Sequence, residues 1–349
     1  MKRMLLGLLL GVGCLYFFIQ EMNWTETQSI LSNLSLPWVC AAVFLLVFEF
    51  VVRGIRWKII LRPLTEELPL STLIQAQMIG GTANTLLPLR LGEVIKPTLV
   101  ASKSKLTFIS VAATAVMERV YDLLGMVSVL VFMVLFLQPD INPAPDQQIL
   151  VDKLQLYGGI IGLIATISMA IFFTLVTKRN EARPIFVWIT SIAPKPIQDF
   201  FLRLFDGFVQ GLGNSTDTKG LWQAGSWSVL MWLNGALAIF CLFQAFGLTL
   251  PFGAACFMGV AIALGVALPQ APGFVGVFHV AIENTLLLWD QDPQVAKSFA
   301  LIFWMVSFVP VTLLGLTMAT RWDIDWQSII VRRSDVESIP QVPTTEPVE

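Results

Sequence analysis

Two long apolar stretches of this chain are each interrupted by proline and glycine at a depth where a bilayer helix would otherwise continue. The first reads TANTLLPLRLGEVIKP from Thr82 to Pro97, and the second reads ALPQAPGFVGVFH from Ala267 to His279. Proline removes a backbone donor and crowds the preceding turn, and glycine loosens a helix. Broken backbone inside a bilayer survives only where protein buries it or where it lines a wet cavity. Each interruption therefore predicts a half-crossing that turns back on itself. Interruptions in corresponding places of two halves are the sequence sign of a binding site near mid-membrane.

The surrounding composition agrees. Hydrophobic residues make up 56% of the chain and charged residues only 13%, against about 25% charged in soluble domains. The fold class expected is an all-α polytopic membrane protein. A net charge of −2 supplies no basic face and argues against a nucleic-acid partner. Cys14, Cys40, Cys241 and Cys256 fall in apolar runs at unrelated spacings, which suits small lipid- or core-facing residues rather than disulfides. With one histidine and no clustered thiols, no zinc or haem cofactor is expected. No Gly-rich loop ending in GK[ST] is present, so no nucleotide-driven pumping by this chain alone is expected.

Charge bias orders the spans. Met1–Ile19, which opens with Lys2 and Arg3 and continues as an apolar run, reads as a retained first span with its basic end in the cytoplasm. The acidic stretch Glu21–Leu36 should lie outside, with Trp24 and Trp38 as interfacial anchors. Pro37–Val52 comes back in, and Arg53, Arg56, Lys58 and Arg62 fix that end in the cytoplasm. Glu49 inside this span is costly unless partnered, and Arg53 four residues on predicts a local ion pair.

If Leu70–Leu87 crossed fully, Arg90, Lys96, Lys103 and Lys105 would all lie outside, against the charge bias. A re-entrant hairpin resolves this, with Leu91–Ala101 as the returning arm. Leu106–Leu137, longer than the ~20 residues a perpendicular span needs, crosses next, and Leu156–Val176 returns. Residues 184–219 form an amphipathic segment suited to the inner membrane surface. Trp222–Phe246 crosses out, Leu250–Leu268 and Phe274–Leu288 form a hairpin from the outside, and Ala296–Ala319 crosses back.

The expectation is six full spans, two re-entrant hairpins and both termini in the cytoplasm. Residues 1–321 form the membrane domain, and 322–349 form a Pro/Thr/Glu-rich tail. Span, hairpin, span in Pro37–Leu137 is matched by the same order in Trp222–Ala319 with opposite orientation. No residue-level repeat accompanies this inverted repeat, which rests on topology alone.

The charged residues near the breaks are Arg90, Glu93, Lys96, Glu118, Arg119, Asp122, His279 and Glu283. Arg90, Glu93 and Lys96 are spaced by three, so a short helix after Pro88 would stack them on one face. Glu118 and Asp122, at i and i+4, share a face as well. Guanidinium forks suit phosphate and an ammonium adds a point charge, so the set describes a site for an anionic head group. Two readings of Glu118, Arg119 and Asp122 stand side by side: substrate contact, or structural ion pairing with Arg119 bracing Glu93. His279, with Glu283 one turn on, is either a titratable group at the second break or a satisfied interior residue.

Three motifs occur in order: N-x-L-L-P-x-R-x-G-E from Asn84 to Glu93, E-R-x-x-D from Glu118 to Asp122, and P-G-x-x-G at Pro272, Gly273 and Gly276. Together they resemble the flippase-like transmembrane domain of the lysylphosphatidylglycerol synthase family, over nearly the whole chain to about Arg321. Lys96 stands where that family commonly has arginine. The resemblance implies a protein of the cytoplasmic membrane that translocates a lipid or lipid-linked sugar, without the aminoacyl-transferase domain of the full synthases. Its partner would be a membrane lipid with an anionic head group, and an oligomer or an envelope-lipid synthesis partner fits the same setting. Two other classes are kept open: an intramembrane transferase acting on a lipid phosphate, and a regulatory subunit of an envelope-lipid machine.

Overall fold

A computed structural model of the chain describes residues 20, 23–65, 67–87, 90–133, scattered positions between 184 and 202, 218–267 and 272–322. The expected spans Met1–Ile19 and Leu156–Val176, most of the amphipathic segment and the tail lie outside the described residues. Among the described residues every regular element is helical. They are α1 (Trp24–Ser32), α2 (Leu36–Leu61), α3 (Leu70–Leu86), α4 (Gly92–Ser102), α5 (Phe108–Phe132), α6 (Thr218–Ala245), α7 (Phe252–Ala267), α8 (Val277–Leu288) and α9 (Pro293–Arg321). A short turn, Pro272–Phe274, joins α7 to α8.

Local chemistry sets most boundaries. Pro37 sits in the first turn of α2, where its missing N–H costs nothing. Helix α3 stops at Leu86 because Leu87, which precedes Pro88, is driven to the extended region at φ −105° and ψ 145°. Thr107 caps α5 by accepting from Ser110 N, and Asp292 caps α9 by accepting from Gln294 N and Val295 N. The polar stretch ahead of α2 holds the helix α1, which Asn23 caps by accepting from Glu26 N. Thr27 of α1 is fully buried, and Ser298 of α9 donates to it at 3.4 Å.

Helices α2 and α9 and the stretch Trp222–Ala245 of α6 are long and apolar enough to cross a membrane. At 26 residues α2 runs roughly 39 Å, more than the ~30 Å hydrocarbon thickness. Large apolar side chains cover the outside, among them Phe44, Leu123, Val280 and Leu313, each more than half exposed. In water such a surface would drive aggregation, whereas lipid solvates it.

The two halves pack alike. In the first, α2 packs on α3, α3 on α4 and α4 on α5; in the second, α6 packs on α7, α7 on α8 and α8 on α9. Across the halves α2 meets α9 as α6 meets α5, and α3 meets α9 as α7 meets α5. The corresponding helices α2 and α6 lie side by side. Ser35 N donates to Ala245 O, Asn234 Nδ2 to Leu45 O and Arg56 Nη1 to Ser228 Oγ. The residue numbers climb on one helix as they fall on the other, so equivalent helices run in opposite directions. This is the arrangement that an inverted repeat requires. The contents differ. Phe243, Phe278, Phe299 and Phe303 build an apolar core in the second half, while charged side chains collect in the first.

The boundary of the second span is corrected. The sequence pattern ends it at Val52, yet helix α2 continues to Leu61 and carries the basic cluster's Arg53 partly buried and Arg56 buried. Carboxylates from neighbouring turns and from α5 make that burial tolerable, and only Lys58 and Arg62 of the cluster remain exposed.

Candidate functional site

Close approach of α3 and α4 creates the site. A methyl group on Gly92 would collide with the carbonyl oxygen of Gly80 and with Asn84, so the absence of a side chain lets the arms touch. That contact sets Asn84, Glu93 and Lys96 beside one another. Helix α5 lies against α4 and presents Glu118, Arg119 and Asp122. Helix α2 supplies Arg53 and Arg56, and α6 supplies Ser228.

Four cations pair one to one with four carboxylates, each at 2.6 Å: Arg53 with Glu49, Arg56 with Asp122, Lys96 with Glu118 and Arg119 with Glu93. The pairs are cross-linked. Arg119 also donates to Asp122 at 2.9 Å, Arg56 lies 3.6 Å from Glu118, and Lys96 lies 4.0 Å from Glu93. Gln77 donates to Glu118 at 2.7 Å, Asn84 to Glu93 at 3.2 Å, and Arg56 to Ser228 at 2.9 Å. Lys96 stands 5.1 Å from the ring centre of Trp57, whose Nε1 donates to Thr114. Arg56 and Glu118 are each 1% exposed. Unpaired charges at such burial would be very costly, and the network neutralises each of them. The predicted Glu49–Arg53 pair is present.

Arg90 departs from the expected stripe with Glu93 and Lys96. Helix α4 begins only at Gly92, and Arg90 precedes it with a left-handed φ of 52°. That conformation turns its guanidinium toward the other hairpin. There it donates to the carbonyl of Val266, next to the last residue of α7, and stands 5.7 Å from the centre of the Phe274 ring. The last carbonyls of a helix lack intrahelical donors and carry the negative end of its dipole, so a cation suits that place. Phe274 is itself left-handed, at φ 57°. Non-glycine residues in this region gather at strained, functional backbone.

The second break is a turn rather than a continuous rod. Gly273 and Gly276 have φ of 72° and 93°, values that side chains disfavour. Trp304 Nε1 donates to the Gly273 carbonyl at 2.7 Å and ties the turn to α9. Pro272 opens the turn. His279 is fully buried on α8, with Phe278 and Trp304 near its ring. Neither His279 nor Glu283 is among the residues lining the cavity described next.

A cavity of about 180 Å³ lies between the hairpins. Arg53, Gln77, Asn84, Glu93, Lys96 and Arg119 form its polar wall, and Phe274, Phe308 and Val311 face them. Asn84 Oδ1 and Ser307 Oγ, both of cavity-lining residues, are buried without a hydrogen-bond partner among the described residues. Of the sequence-predicted residues, the structure gathers Asn84, Glu93, Lys96, Glu118, Arg119 and Asp122 in one network, while Arg90, from the tip of the same hairpin, turns away from them toward Val266 and Phe274 and is not among the residues lining the cavity. Sequence reasoning missed Arg56, Gln77 and Ser228. The spacing Glu49, Arg53, Arg56 places all three on one face of α2 and was the available signal for Arg56.

Comparison with known proteins bears on the family. The chain is 24% identical over 290 residues to a UPF0104 membrane protein of Methanothermobacter thermautotrophicus, covering 80% of this chain and 82% of that one. It is 23% identical over 238 residues to a UPF0104 membrane protein of Methanocaldococcus jannaschii, covering 67% and 92%. A shorter match, 32% identical over 118 residues, covers 34% of this chain and 19% of the glycosyltransferase AglD of Haloferax volcanii, so the aligned part is about a fifth of that protein. Residues 4–315 match the model of the lysylphosphatidylglycerol synthase transmembrane region, and the chain belongs to that family of membrane proteins.

Proposed function

We propose that this protein moves an anionic lipid, or a lipid linked through a polyprenyl phosphate, between the leaflets of the cytoplasmic membrane, with both termini inside. One observation carries the reading: a charged cavity between two broken hairpins, inside a helical membrane protein. Backbone breaks and paired charges are retained at such depth where a polar group must enter. The head group occupies the cavity and its tails stay in lipid. Arg90 and the half-exposed Arg119 contact the phosphate. Glu93, Glu118 and Asp122 hold the cations in place.

The test is a proteoliposome assay with a fluorescent anionic lipid. Native protein accelerates exchange between leaflets and Arg90→Ala slows it about tenfold, the loss of one charge-assisted hydrogen bond. Equal rates for native protein, Arg90→Ala and empty liposomes would remove the transport reading. A new lipid product formed by purified protein would put a transferase in its place.

A further inference from the structure

Among the described residues, counting charges at the cavity and at the hairpin tips beside it leaves one over. Arg53, Arg56, Lys96 and Arg119 are matched one for one by Glu49, Asp122, Glu118 and Glu93. Among the described residues of the two hairpin tips, Arg90 is the further cation: its guanidinium meets the Val266 carbonyl and the Phe274 ring, and the charges that also act on it, Arg119 and Glu93, are already paired with each other. Neither contact neutralises it. The guanidinium is partly exposed and rests over Phe274, which lines the cavity.

A second, apolar cavity of about 350 Å³ adjoins the polar one and shares Thr85 and Phe308 with it. Leu86, Trp304, Val309 and Leu313 line it. Leu86, Val309 and Leu313 are 47%, 42% and 60% exposed, so the groove opens on the lipid-facing surface. At its wall Thr312 Oγ1 is buried without a hydrogen-bond partner among the described residues. A polar pocket of matched pairs, with the unmatched Arg90 guanidinium at its edge over Phe274, thus adjoins an apolar groove that opens on lipid.

We infer that the site selects a lipid whose head group carries one net negative charge at a phosphodiester, with one hydrocarbon chain lodged in the groove beside Trp304, and that Arg90 reads the charge. This rests on the lipid reading above and narrows its substrate class. A single anion exchanges Val266 for phosphate at Arg90 and leaves the four inner pairs intact. A dianionic phosphomonoester would have to break one of those pairs, and a head group of no net charge would leave Arg90 on its carbonyl. Binding therefore also competes with the hydrogen bond from Arg90 to Val266 of α7, so occupancy loosens the contact between hairpin tips.

The experiment is native mass spectrometry of the full chain in detergent, titrated with phosphatidylmethanol, phosphatidic acid and phosphatidylcholine of the same acyl chains. Phosphatidylmethanol isolates one phosphodiester charge. The native protein is expected to bind it about tenfold more tightly than the other two, and Arg90→Gln to erase that preference. Glu93→Gln leaves a second positive charge unmatched and is expected to shift the preference toward phosphatidic acid. Equal binding of all three lipids by native protein overturns the inference. So does full phosphodiester preference in Arg90→Gln, or, should that variant not fold, an unchanged ranking in Glu93→Gln. Soluble dimethyl phosphate is expected to compete only weakly, and full competition at matched concentration overturns the part assigned to the groove. No leaflets exist in this assay. Selective binding with no flipping in liposomes would leave the inference standing and remove transport.

Discussion

Arg56 of α2 and Asp122 of α5 are joined at 2.6 Å, and the same arginine donates to Ser228 of α6. One side chain therefore holds three long helices, two from the first half of the chain and one from the second. Removing one partner of a buried pair strands the other and costs on the order of 3–5 kcal/mol. Arg56→Met is expected to lower the midpoint of thermal unfolding in detergent more than any surface charge substitution. Arg56→Met combined with Asp122→Asn should lose less than Arg56→Met alone, because the stranded carboxylate is gone. An additive double variant would mean that the pair is not coupled.

Gly92 offers a second test, of the hairpin itself. Its Cα faces the Gly80 carbonyl with no room for a methyl group. Gly92→Ala should cost on the order of 1–3 kcal/mol as α3 and α4 are pushed apart. Gly225, whose added Cβ would meet open space, is the control. Gly225→Ala should be neutral or stabilising, since alanine is the better helix former. Thermal unfolding of the two variants side by side measures the difference, and equal midpoints would discount the close approach.

The bond from Trp304 Nε1 to the Gly273 carbonyl ties the second turn to α9. Trp304→Phe keeps a large ring and removes only the donor. A net hydrogen bond contributes about 1 kcal/mol, so opening at this turn should increase roughly fivefold. Hydrogen exchange of the backbone from Gly273 to Gly276 reads that directly. No change in exchange there would show that the turn is held by packing alone.

Membrane orientation can be checked at the two ends of the repeat. Lys103, just past α4, and Asp290, just past α8, are both exposed. With the halves inverted, cysteines at these positions should react with an impermeant thiol reagent from opposite sides. Labelling of both from one side would contradict the inverted arrangement.

The breaks were legible because they are local. Pro88 and the glycines at 273 and 276 act on their own turns, so α3 and the turn at Pro272–Phe274 end where the residues say. Glu118 and Asp122 were legible as a pair because helical spacing puts them on one face. Arg56 was not, since adjacent arginines after an apolar run satisfy the positive-inside rule as readily as they fill a core. What separates those readings is a carboxylate 66 positions further on. Gln77 and Ser228 carry no charge and no periodic signature, and only packing between distant helices brings them to Glu118 and Arg56. Arg90 shows a subtler limit. Its spacing to Glu93 was right for a helix, but the helix begins two residues later, and a left-handed backbone aims the side chain elsewhere.

The one-to-one matching of arginine and lysine with carboxylates has an electrical consequence. A membrane voltage acts on net charge, with about 2.3 kcal/mol per elementary charge for each 100 mV crossed. The four matched pairs bear none, so the voltage does little work on them when the helices shift. Among the charges described at the site, the guanidinium at position 90 is the one left to feel the gradient, and under the proposal above a singly charged phosphodiester cancels that sensitivity too. On that proposal, a loaded chamber moves as an electrically silent object.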